Sequence, residues 1–90
     1  MPKPSWSEID NRVHQLIAAD KGYQPNEVHD EDKLRDDLRY DDEGLEALAP
    51  DINKEFFTRD KGLSTNDVVG CVTVVDIVNR IDEQPVADFK

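Results

Sequence analysis

Apolar residues recur at three- and four-residue steps in two long stretches of the chain and again in a shorter one near its end. In the first, Trp6, Ile9, Val13, Leu16 and Ile17 share one helical face. Ser5 stands three residues before Glu8, a capping-box spacing, and Gly22 lies just past the last periodic residue. The pattern predicts a helix from Trp6 to Asp20. In the second stretch Leu45, Leu48, Ala49, Ile52 and Phe56 form a stripe, and a helix is expected to begin near Asp42, whose carboxylate can cap free N–H groups. Gly44 in its first turn and Pro50 in its interior work against that helix. An internal proline costs about 3 kcal/mol, so a kink or a break near Ala49 is expected, with Pro50 able to open a second segment.

Between these helices the segment "KGYQPNEVHDEDKLRDDL" has no period. Tyr23, Val28, Leu34 and Leu38 are scattered along it as apolar anchors, which favours an ordered loop held down by its own side chains. After a turn at Gly62, Ser64 and Asp67 mark a short third helix. Thr73 and Asp76 repeat the spacing ahead of Val74, Ile77, Val78 and Ile81, the face of a last helix. The valine-rich run from Val68 to Val78 also suits a buried strand, although no second strand is visible to pair with it. The order is helix, long loop, helix, short helix, helix: an all-α domain over residues 1–82, followed by a flexible C-terminal tail, 83–90.

Ninety residues allow one domain, and a hydrophobic share of 37% gives it a small core. Cys71 is the single cysteine, which excludes an internal disulfide and a thiolate metal cluster. No signal peptide or membrane-spanning run is legible, so a cytoplasmic monomer that binds no membrane is the expectation. Charge changes the picture more. The net charge is −10, and between Glu27 and Glu46 ten acids face only three bases. Such a surface repels phosphate backbones, which argues against direct nucleic-acid binding, and attracts basic proteins. It also serves simply to keep a small domain soluble.

Candidate chemistry is sparse. His14 on the first helix and His29 in the acidic loop have no serine or cysteine at a catalytic spacing and read as surface histidines. Cys71 lies among valines, where a thiol behaves as a small hydrophobe. The Asp-x-Asp-x-Asp-Gly pattern of a calcium loop and a glycine-rich phosphate loop are both missing. No catalytic residue, metal ligand or cofactor is assigned, and the chain is not expected to be an enzyme.

The run "IDNRVHQLIAADKGYQPNEVHDEDKLRDDLRYDD" resembles the opening of an acyl carrier protein, in register from Ile9 to Phe56. "TVVDIVNRI" is similar to that family's last helix, after a few extra residues around "TRDKG". The resemblance implies a four-helix bundle with a long loop between helices 1 and 2 and a short helix 3. In that family the second helix begins Asp-Ser-Leu, and the serine carries a phosphopantetheine arm whose phosphate sits at a helix N-terminus. Here the matching residues are Asp41, Asp42 and Glu43, so Asp42 stands where the attachment serine belongs and no phosphopantetheine can be attached there. The serines present, Ser5, Ser7 and Ser64, do not precede helix 2.

The family also presents acids along helix 2 to basic enzyme surfaces. In this register several become Gly44, Ala47, Asn53 and Lys54, while Asp41, Glu46, Asp51 and Glu55 stay acidic. Asp41, Asp42, Glu43, Glu46, Asp51 and Glu55 are therefore the candidate partner-binding residues. The function expected is non-covalent, charge-driven interaction with a basic protein surface, an enzyme of acyl metabolism being one candidate. Two alternatives remain: a working acyl carrier in fatty acid, lipid or polyketide synthesis, and an acidic inhibitor or nucleic-acid mimic directed at a basic protein.

Overall fold

The computed structural model describes residues 3–90. Helix α1 (Trp6–Lys21) starts where the Ser5 hydroxyl accepts the Glu8 backbone N–H at 3.2 Å. It stops at Gly22, whose φ of 76° belongs to the left-handed region that glycine adopts without strain. Ile9, Val13, Ile17 and Ala18 are buried. Trp6, expected on that face, is instead 38% exposed, and its indole N–H donates to Asn79 at 2.9 Å. The ring covers the rim while its polar end keeps a partner.

Helix α2 (Asp42–Phe56) is one element, so the break expected near Ala49 does not occur. Pro50 lies on the exposed face, as does Glu46, whose carbonyl the proline deprives of an intrahelical donor. Water can satisfy that oxygen, and the buried stripe of Leu45, Leu48, Ala49, Ile52 and Phe56 holds the helix through the defect. Its cap is Asp41 rather than Asp42: the Asp41 carboxylate accepts the Gly44 N–H at 2.8 Å. Gly44 has a packing reason. A Cβ there would stand 3.0 Å from the ring of Tyr40, which is buried against the first turn.

Helices α3 (Thr65–Val69) and α4 (Val74–Asp82) each begin with a reciprocal capping box, Ser64 with Asp67 and Thr73 with Asp76. Val74, Ile77, Val78 and Ile81 are all buried, as their spacing predicts. The strand alternative for the valine run fails because that run is divided between these two helices. Among the described residues the fold is all-α, with 3-10 turns at Pro25–Glu27 and Val86–Asp88 and only isolated β-bridges, Lys33 with Thr73 and Phe57 with Phe89.

The long loop is ordered. Val28, Leu34 and Leu38 are buried, together with Tyr40, which the anchor pattern missed; Tyr23 is exposed and anchors nothing. The loop is also bonded through its backbone. Leu34 N–H donates to the Val72 carbonyl at 2.9 Å, while Val74 and Val75 donate to the carbonyls of Asp32 and Asp30 at 3.1 and 3.0 Å. The first N–H groups of a helix have no intrahelical acceptor, so the loop supplies what the start of α4 lacks.

Helices α1 and α4 run antiparallel, with Lys3 paired to Asp82 at 2.6 Å across their ends. Arg12 joins α1 to α2, reaching the Glu55 carboxylate at 2.7 and 2.9 Å while its guanidinium lies 4.5 Å from the Phe56 ring centroid. The tail 83–90, expected to be flexible, folds back. Phe89 is buried with its ring 4.7 Å from that of Phe57, and Lys90 N–H donates to the Phe56 carbonyl at 3.0 Å. The aromatic end of α2 needs this cover. No described helix is long and apolar enough to cross a membrane.

Between α2 and α3, Asn53 grips the backbone of Leu63 with both ends of its amide, each bond 2.8 Å. Gly62 beside it has φ of 114°, and a Cβ there would fall 2.1 Å from the Asn53 side-chain oxygen and 2.6 Å from the Phe57 ring. Gly62→Ala is expected to cost about 3 kcal/mol, from backbone strain and overpacking together. Gly22→Ala, with open space around it, should cost only about 1 kcal/mol for the left-handed backbone. Urea unfolding of the two variants measures the difference.

Candidate functional site

Of the six acids singled out along α2, three are engaged within the fold. Asp41 caps the helix. The carboxylate of Asp42 is 2.6 Å from Arg35, an exposed pair. Upstream, Glu27, Asp32 and Asp37 accept the backbone N–H groups of Gln24, His29 and Lys33 at 2.8, 2.9 and 2.8 Å. Short acidic side chains thus close the turns of a loop that has no helix or sheet to satisfy its backbone. Glu55 turns to its tie with Arg12 on α1, which leaves its side chain 40% exposed.

Glu43, Glu46 and Asp51 are exposed and have no ion pair among the described residues. Glu43, Ala47, Pro50 and Lys54 succeed one another along the outward ridge of α2, with Glu46 beside them and Asp51 nearer its edge. The ridge is acidic at its N-terminal half and meets Lys54 in its last turn. At its head Asp42 offers a carboxylate and no hydroxyl, so a phosphodiester-linked arm does not fit this position. Ser5 and Ser64 are spent as caps of α1 and α3.

A second cluster lies where α1 meets the loop. His14 Nε2 is 2.7 Å from Asp30 Oδ1 and 3.3 Å from Asp10 Oδ1, although the second contact lacks the alignment of a hydrogen bond. As a carboxylate, Asp10 keeps Oδ1 buried with no donor. Burial first, then a proton shared with Asp30, raise Asp10 to about 6 against the opposing attraction of His14. The same shared proton is the main reason that Asp30 sits below the usual carboxylate range. His14, read from the sequence as a surface residue, is thus three-quarters or more covered and tied across the chain. Asp10 and His14 are four residues apart on α1, a pairing visible in the sequence; nothing in the sequence placed Asp30 beside them.

His29 is exposed, 3.6 Å from Asp32. Cys71 is buried, its thiol directed at the Asp67 carbonyl at 3.2 Å, and burial followed by the Asp76 charge pushes it up to about 11. Neither a protein-family model nor a curated protein matches this chain.

Two outcomes follow for these groups. A carboxyl whose pKa is raised in the folded state adds stability below its ordinary value of 3.8 and loses it as pH rises through about 6. In the presence of a chelator, Asp10→Asn, which stays neutral and can donate to Asp30, should therefore raise the melting temperature near pH 7.5 by a few degrees. The gain should largely vanish near pH 4, as thermal melts at the two values will show. Cys71 should resist iodoacetamide at pH 8 in the native protein and react readily in urea, measured by intact mass.

Proposed function

We propose that the chain is an acyl-carrier-like four-helix domain that works without a prosthetic arm, docking a basic protein surface through charge. The observation that carries this reading is the head of α2, where the resemblance expects a serine and the chain has Asp42, followed on the exposed ridge by Glu43 and Glu46. A helix N-terminus that a carrier uses to hold a phosphate is here given to carboxylates, which the helix dipole also favours. Helix order, long ordered loop and short third helix support the carrier-like arrangement.

Docking of this kind does not need every acid in the region. Asp32, Asp37 and Asp41 are bonded to backbone, so they contribute to the field around the mouth without being free to reach a partner. Direct contact falls to Glu43, Glu46 and Asp51, with Asp42 released from Arg35 at little cost because exposed ion pairs are weak. An enzyme of acyl metabolism with a basic docking patch is the partner class that the resemblance favours.

Incubation with coenzyme A and a broad-specificity phosphopantetheinyl transferase should leave the intact mass unchanged while a serine-bearing carrier is modified in parallel. A mass gain on this chain ends the proposal. For proteins captured by the wild type, the double variant Glu43→Lys/Glu46→Lys should bind at least about tenfold more weakly at low salt, and the difference should shrink as salt is raised. Capture indifferent to both charge and salt argues equally against it.

A further inference from the structure

The geometry points to a divalent transition-metal site formed by Asp10 Oδ1, His14 Nε2 and Asp30 Oδ1, with Zn2+ the ion its ligand set suits best. The three ligand atoms all lie within 4.8 Å of one another. They come from two elements that are held independently of any ion. Asp10 and His14 sit one helical turn apart on α1, and the backbone of Asp30 is fixed by the bond from Val75 N–H to its carbonyl.

Distances favour the assignment. Bonds of about 2.0–2.2 Å to a tetrahedral zinc place neighbouring ligand atoms about 3.4 Å apart. His14 Nε2 and Asp10 Oδ1 are already 3.3 Å apart, and the 2.7 Å contact between His14 and Asp30 has to open. Nε2 would give its lone pair to the ion, with the ring proton held at Nδ1.

The second observation is the buried Asp10 Oδ1, which has no donor as a carboxylate. Two carboxylates converging on one imidazole leave the cluster short of a cation, and a buried oxygen without a partner is costly. A metal ion answers that need. Calcium and magnesium prefer all-oxygen sets of six or more ligands, whereas an imidazole in a set of three selects zinc and its first-row neighbours. This site lies where α1 meets the loop and does not depend on the docking proposal for α2.

Calorimetric titration of the chelator-treated protein with Zn2+ tests the assignment, in excess Mg2+ to suppress loose association with surface acids. One ion per chain is expected. His14→Ala and Asp10→Asn should each weaken binding at least about tenfold, while His29→Ala leaves it unchanged. Asp10→Asn removes a ligand yet is expected to keep or improve folding, so its result is readable even if His14→Ala folds poorly. Binding undetectable in the wild type, or undiminished in either ligand variant, overturns the proposal.

Discussion

The carbonyls of Asp30 and Asp32 accept the first unpaired N–H groups of α4, and the shape of the rest depends on that joint. With α3 only five residues long, the longest loop acts as a wall of the core. Val28, Leu34, Leu38 and Tyr40 supply the apolar lining of that wall. Buried side chains alone would leave the loop backbone unsatisfied where it crosses α4. The exchange of hydrogen bonds with Val72, Val74 and Val75 removes that cost for both partners, and it places the acidic turns and Asp30 in fixed positions.

Acidic residues in this protein carry two kinds of work that composition cannot separate. Asp32, Asp37, Asp41, Asp67 and Asp76 each hold backbone N–H groups at turns and helix starts. Glu43, Glu46 and Asp51 hold nothing among the described residues. The difference follows from position. An acid at a turn or helix start faces free backbone N–H groups, while one on a helix ridge extends into water. The net charge of the region is therefore partly a by-product of building a loop from turns, and the proposed docking face is narrower than the acid run.

What the sequence disclosed, and what it hid, follows physical lines. Helix positions were legible from Ile9, Val13 and Ile17, from the α2 stripe, and from Val74 to Ile81, because one face of each is buried with a fixed period. The caps Ser5, Ser64 and Thr73 were legible because capping is local. Pro50 misled, since a proline on a solvent-facing turn loses one bond that water replaces. Phe89 and the tail misled for the opposite reason: nothing local announces that Phe57 needs a cover. Of the candidate acids, sequence showed where Glu43 and Glu46 stand but not that Glu55 is taken by Arg12. His14 became informative only when a distant carboxylate arrived beside it.

The joint between the loop and α4 also orders events in time. Asp30 and Asp32 are synthesised long before Val74 and Val75, and closing so wide a span has an entropic cost that only the finished core offsets. On the ribosome, α1 and α2 can coil early, yet the acidic wall between them has nothing to fasten to until the last helix emerges. The proposed docking face therefore takes its final form only once α4 is in place.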